Sequence, residues 1–317
     1  MSDKREDSWD YIEYLSMVSG EKKALAMTWW GAALGAFLIA MIAAVAGLTE
    51  KMPSGGAIAF VVLCIPAAII AAYRAIAVGD EKEEILSKLR IRCLQYAADG
   101  ILAECEKTAE EDALRAEDIM DVLRVGLSEE VLLTNQIEGV CFGGARFRRA
   151  DVTLHKPSKN DTGYNRYGKE NEKYYAWTVY KTVKKIREPL VVQSWEQRNL
   201  FFFDGAYEEF ETEDMEFNGK FFCACDNGSE AFYVLTPPVM NDLTVVYEKE
   251  AHAGKPFVTF FFRKNELHVF VLRDTPHFDF DGDEEIDIKA DIADMRSEFE
   301  EISGNSELLE ACIQEEN

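Results

Sequence analysis

The sequence predicts an α+β fold: an N-terminal two-helix transmembrane hairpin, a helical stalk, and a cytoplasmic domain in which packed helices cover an antiparallel β-sheet. Three observations predict it. Two long apolar runs lie within residues 24–78. Apolar residues at helical spacing follow them. Beyond Leu132 the pattern changes to short alternating segments interrupted by one helix, which reads as α+β rather than as a doubly wound sheet. The divisions are an N-terminal segment 1–23, the hairpin 24–78, a helical connector 79–126, the α+β domain 127–278 and an acidic C-terminal tail 279–317.

The first run, Ala24 to Leu48, is 25 residues without a charge. About 20 residues of helix cross a hydrocarbon core of roughly 30 Å, so the run spans with some tilt. The second, Ser54 to Tyr73, continues its apolar character past Arg74 to Val78, and only Thr49 to Pro53 separates the two. A secretory signal has a shorter core, a cleavage site and no second span behind it. Lys4, Arg5, Lys22 and Lys23 precede the first span, Arg74, Lys82, Lys88, Arg90 and Arg92 end or follow the second, and the link holds only Lys51. The positive-inside rule therefore places both termini and the whole soluble part of this multi-pass protein in the cytoplasm. Trp29, Trp30 and Tyr73 fall where an interfacial aromatic belt is expected. The small-residue pattern at Gly31 and Gly35 packs either the hairpin on itself or one copy on another. With no charge at mid-span, an ion pathway is not expected.

A long helix is expected from Asp80 to about Lys107, and a second over Asp112 to Val125. Gln136 to Phe142 and Ala145 to Leu154 alternate about Gly143-Gly144 and read as a β-hairpin. Thr178–Val183, Leu190–Trp195, Asn199–Phe203 and Lys220–Cys225 read as strands, the last turned by Asn227-Gly228. Thr236 before Pro237-Pro238 caps a helix that buries Val239, Met240, Leu243, Val246 and Tyr247 and ends at Gly254. Phe257–Phe262 and Leu267–Leu272, joined by Arg263 to Glu266, complete the domain as a hairpin. The tail carries Ile288, Ile292, Met295, Phe299 and Ile302 at weakly amphipathic helical spacing.

The net charge is −24, which argues against a nucleic-acid binder. It is unevenly placed: residues 274–317 hold 2 Lys/Arg and 16 Asp/Glu, net −14, whereas residues 146–187 hold 12 Lys/Arg and 4 Asp/Glu, net +8. Within the basic stretch Arg146, Arg148, Arg149, Lys181, Lys184 and Lys185 are candidates for contact with anionic lipid or with the acidic tail. The seven cysteines are scattered and odd in number, as reduced thiols are. Cys223 and Cys225 share one face of a strand that is apolar on both faces. Core packing is the reading preferred for them; metal ligation is the alternative, and it lacks two further ligands at a recognisable spacing. The acidic run from Asp279 places its glycine wrongly for a calcium loop. No pattern marks a catalytic or cofactor site.

The order of motifs resembles that of the bacterial membrane-protein family known as domain of unknown function 3137, from about Leu127 to Phe278. Gln136 to Phe142 looks like one family strand and Phe147 to Leu154 like the next. Glu213-Asp214-Met215-Glu216-Phe217 and Ala231-Phe232-Tyr233-Val234-Leu235-Thr236-Pro237 with Met240 carry the best match. The resemblance implies the architecture and no catalytic residue or cofactor. Taken together, the sequence points to a non-enzymatic scaffold, sensor or regulator with a protein partner or a second copy at the membrane. The alternative is a membrane-tethered enzyme or small-ligand receptor with its site in the β-rich domain.

Overall fold

The structure is a computed structural model that describes residues 2–48, 54–109, 113–118, 130–155, 172–195, 207–225, 228–252, 257–273 and 287–313. The chain forms two compact units, Met1–Cys93 and Leu94–Asn317.

The first unit consists of α1 (Ser2–Leu48) and most of α2 (Ser54–Ala98). At about 1.5 Å per residue α1 is on the order of 70 Å long, more than twice a hydrocarbon core. The less exposed positions of α1 include residues 12, 15, 19, 22, 26, 29, 33, 36 and 40, which follow alternating steps of three and four. Those of α2 include 64, 68, 71, 75, 78, 82, 86, 89 and 93. Alternating threes and fours give a coiled-coil seam. Lys22 pairs with Glu81, and the Arg92 guanidinium lies 5.5 Å from the Tyr11 ring centroid. Both pairs sum to 103, so the helices run antiparallel. Among the described residues one stretch, Trp9–Ile42, is long and apolar enough to cross a membrane. The expected pair of spans thus reduces to one membrane-length helix. The apolar run of α2 shares its helix with Arg74 and the charged turn from Asp80, and the side chains of residues 54–61 lie outside those described.

α2 ends at Ala98, not near Lys107. Gly100 adopts φ +78, which ends the helix at small cost, and Leu102–Lys107 becomes strand β1. Most of the second expected helix, residues 119–125, lies outside the described residues; residues 113–115 are not helical and 116–118 are.

The second unit is built on a seven-stranded antiparallel sheet. Its strands are β1, β2 (Glu130–Cys141), β3 (Arg146–His155), β4 (Glu172–Ser194), β5 (Glu208–Phe210), β6 (Phe221–Cys225) and β7 (Val258–Arg273). The order is β1-β2-β3-β4-β6-β5, with β7 paired along β4. The expected hairpin of residues 136–154 is β2 and β3. The other expected hairpin, Phe257–Phe262 with Leu267–Leu272, and the separate strands expected at Thr178–Val183 and Leu190–Trp195 are replaced by two long strands. Residues 172–194 are one strand and residues 258–273 are another, paired from Tyr174↔Arg273 to Gln193↔Thr259. The Arg263–Glu266 link that read as a turn faces the charged stretch of β4 as an irregularity: Lys181 pairs Glu266, Ile186 pairs Lys264, and the register shifts between them. Such bulges let polar residues leave a ladder without ending it. The first half of β4 lies between β3 and β7, the second between β6 and β7. Asn199–Phe203 and Asn227 lie outside the described residues.

Ala150, Val152, Tyr175, Trp177, Val191, Phe261 and Phe270 form the core of the sheet. Trp177 stacks on Phe270 at 5.4 Å between ring centroids. Gly139 in β2 is required sterically: a Cβ there would meet the Glu104 carbonyl oxygen at 2.4 Å and the Phe147 ring at 2.9 Å. Helix α3 (Met215–Lys220) is capped by Asp214, whose carboxylate accepts from the backbone of Glu216 and Phe217, and it buries Phe217. Helix α4 (Gly228–Val234) leads through Leu235 and Thr236 to α5 (Pro237–His252). The expected buried face of α5 is present at Val239, Met240, Leu243 and Val246; Tyr247 is half-buried, and Glu250 is buried instead.

The acidic tail is not a separate segment. From Ile288 to Leu308 it forms helix α6, capped by Asp287, and Ile288, Ile292, Met295, Phe299 and Ile302 are all buried. The Tyr180 hydroxyl donates to the Ile302 carbonyl at 3.1 Å, and Ile313 bridges to Thr182. The apolar stripe is enough to bring an acidic helix onto the sheet.

Candidate functional site

Successive strand residues point to opposite faces of a sheet. That alternation splits the basic run of β3 into two sites. Arg146 and Arg148 point to one face, and Arg149 and Asp151 to the other.

On the first face a cleft of about 820 Å³ crosses five strands. β1 and β2 contribute Glu104, Glu106 and Glu138 to it; β3 and β4 contribute Arg146, Arg148 and Lys181. Glu266 of β7 lies beside them and accepts from the Arg148 guanidinium at 2.7 Å. Behind Glu266 the polar groups continue into the core. His268 Nε2 is 3.5 Å from the Glu266 carboxylate, longer than a good hydrogen bond. The Trp177 Nε1–H donates to His268 Nδ1 at 3.2 Å, which fixes the imidazole with its proton on Nε2. Burial holds His268 below its ordinary range, so it is neutral near pH 7. The His268 contact, opposed by burial and helped by Arg148, holds the Glu266 carboxyl below the usual range. Cys105 borders the cleft, but it lies between Glu104 and Glu106 in β1, so its thiol points to the opposite face; burial and then Glu106 push it up to about 12. It is protonated and a poor nucleophile at neutral pH.

On the opposite face Arg149 is 1% exposed. It pairs with Asp151 at 2.7 Å and with Glu298 of α6. Arg273 at the end of β7 lies 3.6 Å from Glu298 and 3.6 Å from Glu250 of α5, and it pairs with Glu301. Burial raises the Asp151 carboxyl above its ordinary value, with Arg149 opposing and Glu298 reinforcing the rise. Burial opposes the charge on Arg149, and Glu298 and Asp151 outweigh it. This network ties β3, β7, α5 and α6 together.

The six basic candidates therefore do not form one surface. Arg149 is sealed under α6, out of reach of any lipid, and its acidic partner Glu298 does come from the segment expected to be a tail. Arg148 is half-buried and pairs with Glu266 of β7. Arg146, Lys181 and Lys185 are exposed, and the Lys184 side chain lies outside the described residues. Cys223 and Cys225 sit in β6, buried on both faces between β4 and β5, and burial followed by Cys225 raises the Cys223 thiol to about 12. Among the described residues no group of three His, Cys, Asp or Glu has the arrangement of a metal site. Trp30 and Tyr73 are 53% and 72% exposed, and Trp29 is half-buried toward the seam. The sequence reading did not find Glu266, His268 or Glu298. All three depend on pairings between residues 91 or more positions apart, and only the alternation of β3 hinted at two separate faces.

These elements define a class: an α+β domain on one antiparallel sheet, covered by α5 and α6 and following a long helix pair, with a charged cleft. Residues 177–311 match the model of a family described as "Protein of unknown function (DUF3137)". This is the family that the Glu213–Phe217 and Ala231–Met240 motifs resemble, and the matched span includes α6 instead of ending near Phe278. No curated protein matches the chain. Among solved structures, the crystal structure of the mycobacterial trehalose monomycolate transport factor A, TtfA, is similar at 9% identity. The similarity covers 69% of this chain and 93% of that one, with a TM-score of 0.33.

Proposed function

We propose that the protein is a non-enzymatic, membrane-anchored binding module: a scaffold, sensor or regulator whose sheet domain engages a protein partner on the cytoplasmic side of a bacterial inner membrane. In this reading both α1 and α2 cross the bilayer, and both termini are cytoplasmic. The observation that carries it is a girdle of exposed apolar side chains. It includes Leu34, Phe37, Leu38 and Ile42 on α1 and Val62, Ile65, Ile69 and Ile70 on α2. Water disfavours so large a patch, and lipid does not. In the antiparallel register Trp30 is level with Tyr73, since 30 + 73 also gives 103; Arg74 adjoins that level, and Lys22 and Lys23 lie about two helical turns further from the apolar girdle. Aromatic and basic residues at one level are the pattern of an inner interface.

The test is thiol labelling of an S54C variant in intact cells. Reaction with a membrane-impermeant maleimide from outside is expected. Reaction only after the cytoplasmic side is opened would sink the two-span topology. The cleft favours a second reading, a receptor for a small polar ligand. A ligand retained by the intact chain in native mass spectrometry would support that reading over the scaffold.

A further inference from the structure

We propose that the cleft over β1–β4 and β7 is the partner-binding site, and that it takes an extended peptide segment carrying a basic and an acidic side chain four residues apart. The proposal rests on the binding-module reading above. Its basis is the layout of charge in the cleft. The acids Glu104 and Glu106 stand on the edge strand β1, and Glu138 stands opposite Glu106 on β2. The cations Arg146, Arg148 and Lys181 stand on β3 and β4. With Glu266, the lining sums to three positive and four negative charges, net −1.

A ligand of one sign fits this layout poorly. A polyanion would be drawn to the cations and repelled by the β1 acids; a polycation would meet the reverse and compete with Arg148 for Glu266. A ligand bearing both signs meets both halves and leaves no lining charge less compensated than before. The dimensions set the spacing. Three interstrand steps of about 4.8 Å separate β1 from β4, roughly 14 Å in all. In an extended peptide, residues i and i+4 share a face and lie about 13 Å apart. The cleft volume is that of an ordinary ligand site, which spans roughly 300–1,000 Å³.

The test uses the full chain in lipid nanodiscs and fluorescence anisotropy of labelled eight-residue Gly/Ser/Thr peptides. One peptide carries Lys and Glu four apart, one carries them adjacent, one carries two Lys and one carries two Glu. Saturable binding of the first is expected, at least about tenfold tighter than the other three, since removing one charged contact costs on the order of 1.4 kcal/mol or more. R146E/K181E should abolish that preference and favour the two-Lys peptide. E104Q/E106Q should weaken the Lys/Glu peptide and leave the two-Glu peptide unchanged or tighter. All four substituted residues are exposed, and unchanged melting of each variant confirms that it is folded. Equal binding of all four peptides, or binding indifferent to both double variants, overturns the proposal. If a defined partner co-purifies equally with the wild-type chain and with R146E/K181E, the binding-module reading stands and the cleft assignment fails.

Discussion

Replacing Arg149 with methionine should destabilise the sheet unit more than any surface change. The guanidinium lies between Asp151 and Glu298 and is 1% exposed, so its loss leaves two buried carboxylates facing each other. Breaking a buried pair from one side costs about 3–5 kcal/mol, a large part of the roughly 5–15 kcal/mol that holds a domain folded. The unit runs from Leu94 to Asn317, 317 − 93 = 224 residues. At that size each kcal/mol moves Tm by about 2–4 °C, so a drop of roughly 6–20 °C is expected. The assay is thermal melting of the detergent-solubilised chain, followed by far-ultraviolet circular dichroism. The triple variant R149M/D151N/E298Q, which removes the stranded charges, should recover most of the loss. The pH dependence has a definite sign. Asp151 is already raised by burial, and removing Arg149 takes away the largest influence opposing that rise. A carboxyl with a raised folded pKa contributes its stability below the unfolded value, and that contribution is lost as pH rises through the folded value. The R149M deficit should therefore be smaller at pH 4.5 than at pH 8. A drop under about 2 °C, or a triple variant no more stable than the single one, would refute a buried network that holds α6 to the sheet.

Two further outcomes follow from the same geometry. Burial lowers His268, so the unfolded chain binds its proton first and stability falls as pH drops below the ordinary value of 6.5; H268F should flatten that slope between pH 7 and 5, and an unchanged slope would place the effect elsewhere. Cys223 and Cys225 should resist N-ethylmaleimide at pH 8 in the folded chain and react after urea, with peptide mass mapping as the readout; rapid labelling, or stoichiometric zinc lost from C223A/C225A, would overturn their packing role.

Much of the architecture was legible in sequence, because the signals were local. The 3.6-residue pattern after Thr236 gave α5, and alternation around Gly143-Gly144 gave β2 and β3. The misread parts share a physical cause. Arg263 to Glu266 has the composition of a turn, yet β7 passes through it because the matching irregularity in β4 lets both strands continue. Its acidity sets the tail apart from the domain in sequence, yet the five apolar residues already visible at helical spacing, with the two buried arginines, outweigh that charge. Composition counts charges; it does not know which cations lie across the sheet. The cleft was invisible for the same reason, since its lining comes from five strands joined by long-range pairing.

The pairing of β4 with β7 also sets a schedule. Tyr174 must find Arg273, 273 − 174 = 99 residues later, before the centre of the sheet exists. At a synthesis rate of about 5–20 residues per second that is a wait of roughly 5–20 s. During it, Trp177, Val191 and Val192, each later buried, have no partner from β7. Arg149 waits longer still, until Glu298 arrives. The N-terminal helix pair is complete before β4 is made, so on the proposed topology the nascent chain is already held at the bilayer. Anchored there, each unfinished sheet is kept apart from others that could pair with its open strand, and the order of elements along the chain protects the slowest step of its own folding.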